Sequence, residues 1–313
     1  MMNREVRFQR LLRAYPRSYR EERGEEIIGF LLEASAAGDD VMTRDAADIV
    51  VHGFQLRLGL TSERFAGRVL ALAAAPGLVM GAVFALAMFV FGEWLPVVTG
   101  APILLRFGPF WTIGPVVYLV WVLAATGALL WPQWQRLLAA VGVVVALAAV
   151  PVGDLVGARP NLWVLLLLVE LGLPAVLAPA TDGGRANRRV AVGAGLVTGV
   201  VLGLLAQSMV TPGSRFFPSF YWWGGWAIGR DLPWVAAAGV VVVGGLVVFR
   251  RAEVAGAVSV LLVAWTAVNG FSSYGMTTAD TVNVVAAFGF GAWLVVLWMV
   301  DLRRIAVGTA GVA

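Results

Sequence analysis

Cysteine and lysine are both missing from this 313-residue chain, and histidine occurs once, as His52. Without cysteine there is no disulfide framework, no thiolate metal site and no thiol nucleophile. Without lysine there is no P-loop phosphate clamp, no Schiff base and no anchor for pyridoxal phosphate. A single histidine leaves no pair for zinc, so neither a metal nor a cofactor is expected, and a structural or exposed role is expected for His52. No HExxH run, no Walker A run and no Ser-His-Asp set in an apolar pocket is present, which argues against an enzyme. Charge is scarce as well: Asp, Glu, Lys and Arg make up 13% of the residues, about half the share of a soluble globular chain. The net charge of +4 comes from arginines near apolar boundaries, which gives no support to nucleic-acid binding.

What the chain has in quantity is apolar sequence. Hydrophobic residues are 60% of the total, and they come in long runs, the pattern of transmembrane helices rather than of one large core. The first such run starts near Val69, so no signal peptide is expected. The runs predict an all-α polytopic membrane protein with eight spans, near 69–91, 110–131, 137–152, 161–179, 190–210, 232–249, 254–268 and 281–300. An even number of spans puts both termini on one side. Arginines 136, 185, 188, 189, 250, 251, 303 and 304 fall in the connections on that side, against 106, 159, 215 and 230 on the other. That bias makes the arginine-rich side cytoplasmic and predicts a multi-pass cell-membrane protein with both termini inside.

Sliding the chain on itself by 118 residues lays Gly77-Leu78-Val79-Met80-Gly81 on Gly195-Leu196-Val197-Thr198-Gly199, and Pro115 on Pro233. This predicts a parallel 4+4 repeat, related by an axis along the membrane normal. The expected organisation is a cytoplasmic helical head over 1–64, a first four-helix half over 65–183 and a second over 184–313. The third helices, read as 137–152 and 254–268, fall short of the roughly 20 residues that cross a bilayer untilted.

Three short helices are expected in the head. Arg4 to Tyr15 places Phe8, Leu11, Leu12 and Tyr15 on one face. Pro16 forces a break and opens a second helix, running to about Ala34 and burying Ile27, Ile28, Leu31 and Leu32. Thr43 caps a third, with Ala47, Val50, Phe54 and Leu58 on its buried face and Gly59 at its end. Arginines recur at 4, 7, 10, 13, 17, 20 and 23, and Arg7, Arg10, Arg13, Arg17 and Arg20 form a candidate docking surface for anionic lipid or an acidic protein. The bland reading is a solvated face offset by Glu21, Glu22, Glu25 and Glu26.

The run Leu11-Leu12-Arg13-Ala14-Tyr15-Pro16-Arg17-Ser18-Tyr19-Arg20-Glu21-Glu22-Arg23-Gly24-Glu25-Glu26, followed by Asp45-Ala46-Ala47-Asp48-Ile49-Val50-Val51-His52-Gly53-Phe54, resembles the opening of a group of actinobacterial integral membrane proteins. It is also similar to the prefix domains of some ABC-transporter permeases, and such proteins are often linked to PadR-type regulators. The resemblance covers about the first sixty residues. It implies a docking or regulatory head on a membrane body and brings no catalytic residues with it.

Within the body, Gly77 and Gly81, with Gly195, Gly199 and Gly203, put bare backbone on one face of the first helix of each half. Either these two helices meet each other or each packs within its own half. Aromatic residues crowd the connection from Thr211 to Pro233, as an interfacial belt or as a lid. The one ionisable residue expected inside a span is Glu170, with Gly172 and Pro174 loosening the helix beside it. No lysine exists and no arginine falls in a span, so no cation is there to pair with it.

Two functions fit these features. One is a membrane regulatory, sensing or accessory protein whose head docks a cytoplasmic partner through residues 1–60. The other is a secondary transporter or permease with a pathway between the halves past Glu170, favoured by short or interrupted helices at matching positions. The scarcity of polar residues in the spans favours the first.

Overall fold

The computed structural model describes residues 4–36, 43–94, 107–179 and 251–271, with Gly193, Gly195, Val197, Val243, Leu294, Val295 and Met299. Its elements are α1 (Arg4–Leu11), a 3-10 turn (Leu12–Ala14), α2 (Arg17–Ala36), α3 (Thr43–Leu58), α4 (Phe65–Ala87), a π-helical turn (Met88–Trp94), α5 (Gly114–Leu130), a 3-10 turn (Pro132–Trp134), α6 (Gln135–Leu155), α7 (Leu162–Leu177) and α8 (Ala252–Phe271). The described residues are thus mostly helical and hold no strand. A single antiparallel bridge, Phe107 to Phe110, closes a tight turn in which Gly108 adopts φ 58°. The chain divides into two compact units, Met1–Arg68 with Pro179–Thr181, and Val69–Ala178 with Asp182–Ala313.

In the first unit, Tyr15 is extended (φ −77°, ψ 152°) because Pro16 excludes the helical region there, and α2 starts at Arg17. Phe8, Leu12, Tyr15 and Leu31 are buried together with the glycine face of α3, where Gly53 lies against the Ala14 backbone. The third helix is turned away from the expected face. Phe54 and Leu58 are exposed (52% and 53%), whereas Gly53, Gln55 and Gly59 face inward. Close approach to the Ala14–Tyr15 corner needs a bare backbone, and only the glycine side of α3 offers one; a Cβ at Gly53 would stand 2.8 Å from Ala14. On α2, Leu31 is buried and Ile27, Ile28 and Leu32 are half-buried, while Phe30 is exposed.

α3 ends at Gly59 (φ 70°), with Gly59 N–H donating to Leu56 O and Leu60 N–H to Gln55 O. This is the paired closure of a Schellman motif, and the left-handed φ is why glycine stands there. α6 ends the same way: Gly157 (φ 64°) N–H donates to Asp154 O, and Ala158 N–H to Gly153 O.

Two helical stretches are long and apolar enough to cross a membrane: Phe65–Trp94, of 30 residues, and Pro132–Leu155, of 24. Gly114–Leu130, Val164–Leu177 and Ala252–Val263 are shorter apolar helices. The third helices differ from the expected short pair. α6 runs for 21 residues, at about 1.5 Å each enough to cover roughly 30 Å of hydrocarbon, whereas α8 extends for 20, of which Ala252–Val263 is a shorter apolar helix. Pro151 lies inside α6 without ending it, and Gly153 and Asp154 carry the helix past the apolar run on which the shorter reading rested.

α4 to α7 are apolar on every side. Val116, Leu119, Leu123, Val141, Val144, Leu147, Leu166 and Leu173 all point outward, and Leu123 is 71% exposed. A helix with apolar residues on both its packed and its outer face is suited to lipid, not water. Inward, α6 presents Ala139, Gly142, Ala146, Ala149 and Gly153, small residues three or four apart that let its neighbours approach closely. Arg136, at the start of α6, donates from Nη2 to Ala178 O at the end of α7 (3.0 Å), satisfying a carbonyl that the helix end leaves open.

Candidate functional site

The best-defined constellation in the bundle is built on Trp121, in the middle of α5. Its side chain is 1% exposed and is enclosed by three glycines from three other helices. A Cβ on Gly81 of α4 would stand 2.6 Å from Nε1, one on Gly142 of α6 2.9 Å from Cε3, and one on Gly172 of α7 2.6 Å from Cη2. The indole therefore lies against bare backbone on three sides. Phe84, Tyr118, Leu165, Leu168 and Leu171 complete the surrounding core. The indole Nε1 is buried and has no hydrogen-bond partner among the described residues.

This arrangement gives Gly172 a different role from the expected one. Rather than loosening α7, it admits the Trp121 ring, and a Cβ there would also stand 2.7 Å from Val143 Cγ2. The helix runs unbroken through Gly172 and Pro174 to Leu177, with Ala178 N–H donating to Pro174 O (2.8 Å). Pro174 itself supplies no N–H to the carbonyl of residue 170. Glu170 is half-buried, one position along from the wholly buried Leu171.

The glycines of the first helix face two ways. Gly77 packs on the Leu171 carbonyl of α7, from which a Cβ would stand 2.5 Å, and on Leu261 of α8 (3.2 Å). Gly81 takes the Trp121 ring. Gly195 in turn lies against Val79, with Val83 Cγ2 3.7 Å from where its Cβ would be. So α4 packs on α7, on Leu261 of α8 and on Gly195. Gly199 and Gly203 and the aromatic connection from Thr211 to Pro233 lie outside the described residues.

A second constellation was not visible as a site in the sequence. Glu93, wholly buried in the π-helical turn, accepts N–H bonds on Oε2 from Trp111 (3.2 Å) and Thr112 (3.4 Å). Its Oε1 accepts the hydroxyl of Thr112, whose Oγ1 accepts from Gly114 N–H (2.9 Å). The N-cap of α5 is Ile113, which has no polar side chain, so Thr112 supplies an acceptor to the first helical N–H, of Gly114, and Glu93 holds Thr112 and the backbone just before the helix. A carboxylate at a helix N-terminus also suits the dipole. Ile113 N–H donates to Ala158 O (2.9 Å), which ties this corner to the turn after α6. The signal that could have revealed Glu93 is its position two residues beyond the expected span, where helical winding continues as the π turn.

In the head, Arg10, Arg13, Arg17 and Arg23 are exposed, and Arg20 is half-buried with a buried Nε. The Arg7 side chain lies outside the described ones. Arg17 pairs with Glu21 (2.8 Å), and Arg57 donates from Nη2 to the carbonyls of Arg13 and Tyr15, the latter at 3.1 Å. Tyr15 stacks on Tyr19 (5.2 Å between ring centroids) and meets the exposed His52 edge-on (5.9 Å). Burial, and then the neighbouring Tyr19 phenol, push the Tyr15 hydroxyl above its ordinary pKa. Asp154 pairs with Arg159 (3.3 Å) across the turn after α6. Among the described residues no group of three or more His, Asp or Glu side chains is placed to hold a metal ion. Compared with known proteins, the chain matches no family model, no curated protein and no solved structure.

Proposed function

We propose that this chain is a multi-pass integral membrane protein of the regulatory, sensing or accessory kind, with no catalysis of its own, whose N-terminal head docks a cytoplasmic protein partner. The body in this reading has eight spans in a parallel 4+4 arrangement, with both termini cytoplasmic. The observation that carries the reading is the enclosure of Trp121. Two residues from Glu170 along α7, at Gly172, the centre of the first half is filled by an indole pressed on bare backbone. A packed first half suits a scaffold or sensor, and leaves only its boundary with the second half for a pathway. The 21-residue α6 is longer than the short third helix on which the permease reading partly rests. The compact head, with Arg10, Arg13 and Arg17 exposed, supplies a surface complementary to an acidic partner.

The test is chemical crosslinking in native membranes of the full chain, the Arg10→Glu/Arg13→Glu/Arg17→Glu variant and Glu170→Gln. A discrete crosslinked partner should appear with the parent and with Glu170→Gln and vanish with the charge reversal. The reading fails if crosslinking ignores the arginines, or if Glu170→Gln abolishes a solute flux measured in vesicles. Reporter fusions at Ala313 and Arg188 should give an inside signal and one at Gly225 an outside signal. Any other pattern would mean that the spans have been miscounted.

A further inference from the structure

We infer that α3 is an interfacial helix, with Phe54 and Leu58 seated at the boundary between headgroups and acyl chains of the leaflet where Phe65–Trp94 enters. It rests on reading Phe65–Trp94 as a bilayer span. The first ground is the inverted amphipathicity of α3. Its glycines and Gln55 face the head's own core, while Phe54 and Leu58, four apart and so on one face, point outward at 52% and 53% exposure. In water that orientation wastes the largest apolar groups of the helix. Between a polar head and a bilayer it places them correctly.

The second ground is the tether. Six residues, Gly59 to Arg64, separate Leu58 from the first residue of α4. Even fully extended they reach about 20 Å, and they are not extended. The Schellman closure at Gly59 is followed by Arg64 N–H donating to Thr61 O (3.1 Å), Arg68 donating to the Glu63 carbonyl, and Gly67 packed on the Thr61 carbonyl. This corner belongs to the same compact unit as α3, so the stripe is held within a short distance of the first turn of the span. The third ground is charge. Between Phe54 and Arg68 stand Arg57, Arg64 and Arg68 against Glu63 alone, and arginine suits lipid phosphates. The occupant is therefore the lipid surface, not a protein groove.

The absence of cysteine makes the test direct. Single variants Phe54→Cys, Leu58→Cys, Glu22→Cys and Leu123→Cys of the full chain are labelled with an environment-sensitive nitrobenzoxadiazole dye. They are reconstituted in phosphatidylcholine vesicles containing phosphatidylglycerol, with nitroxide lipids spin-labelled at shallow or deep positions. The labels at 54 and 58 should be blue-shifted and lose most of their emission to the shallow nitroxide. The label at 22, on an exposed polar position of α2, should keep its emission, and that at 123 should lose it to the deep nitroxide. Water-like emission at 54 and 58 with position 123 quenched overturns the inference and leaves the span reading intact. Blue-shifted but unquenched labels at 54 and 58 also overturn it, because protein then covers the stripe. An unquenched label at 123 sinks the span reading and the inference with it.

Discussion

The head and the bundle of α4 to α7 are both helical, yet they close their cores by opposite means. In the head, four large apolar side chains, Phe8, Leu12, Tyr15 and Leu31, are removed from water around a glycine patch on α3, and the outside is mostly charged apart from Phe30 and the Phe54–Leu58 stripe. Its drive is the hydrophobic effect, roughly 25 cal/mol per Å² of apolar surface buried. In the bundle the outside is as apolar as the inside, so burial from water distinguishes nothing. What selects one arrangement there is closeness of fit: an indole against three glycines, and a line of Ala and Gly on α6.

The largest expected effect breaks the bundle side of this contrast. Trp121→Ala should destabilise the protein by about 3–5 kcal/mol, the usual range for emptying a buried aromatic site. Gly172→Val should cost on the order of 1–3 kcal/mol through overpacking on the same ring. Both are read as midpoint shifts in detergent-dependent unfolding followed by circular dichroism. If Gly172→Val is neutral, the ring is not held against that backbone and the closeness of fit is lost as an explanation.

A smaller effect tests whether the bundle also depends on buried polar closure. Glu93→Ala removes the acceptor of the Trp111 and Thr112 N–H groups and of the Thr112 hydroxyl, for a loss of about 1–3 kcal/mol. Glu93→Gln, which keeps an acceptor, should lose less. Equal losses for the two variants would mean that the carboxyl contributes only its charge.

The smallest effect lies in the head. Its folded state raises the pKa of Tyr15 through burial and then through Tyr19, so the folded form holds the proton more tightly than the unfolded chain. The resulting stabilisation is complete below the ordinary tyrosine value of about 10 and is lost as pH rises through the folded-state value. Alkaline unfolding of the head should therefore move to higher pH in Tyr15→Phe, monitored by circular dichroism between pH 9 and 12. No shift would mean that Tyr15 gains its burial without any cost to its ionised form.

Patterns one residue type long were readable in the sequence, and patterns that depend on a partner helix were not. Pro16 announced the break after Tyr15 and Gly59 the end of α3, because both act through their own backbone. The glycines at 77 and 81 could be seen as a close-packing face, but nothing in the chain said that Gly81 would meet Trp121, one of thirteen tryptophans. The face of α3 was misassigned because periodicity favours the large apolar residues as the buried set, whereas the Ala14–Tyr15 corner required glycine. Glu93 and Thr112 are 19 residues apart and come together only once the chain has turned back on itself. Their bond is a product of topology, invisible to any local window.

The π-helical turn at Met88–Trp94 has a further consequence, for how this chain can change length. A π turn sets the residues after it back by about one position, on the order of 100° around the axis, relative to an α-helical continuation. Deleting one residue there would let the helix revert to regular winding and would swing Glu93 away from Thr112. Elsewhere along α4 a one-residue deletion would rotate everything beyond it out of register. The turn thus sets the rotational position at which Glu93 meets Trp111 and Thr112.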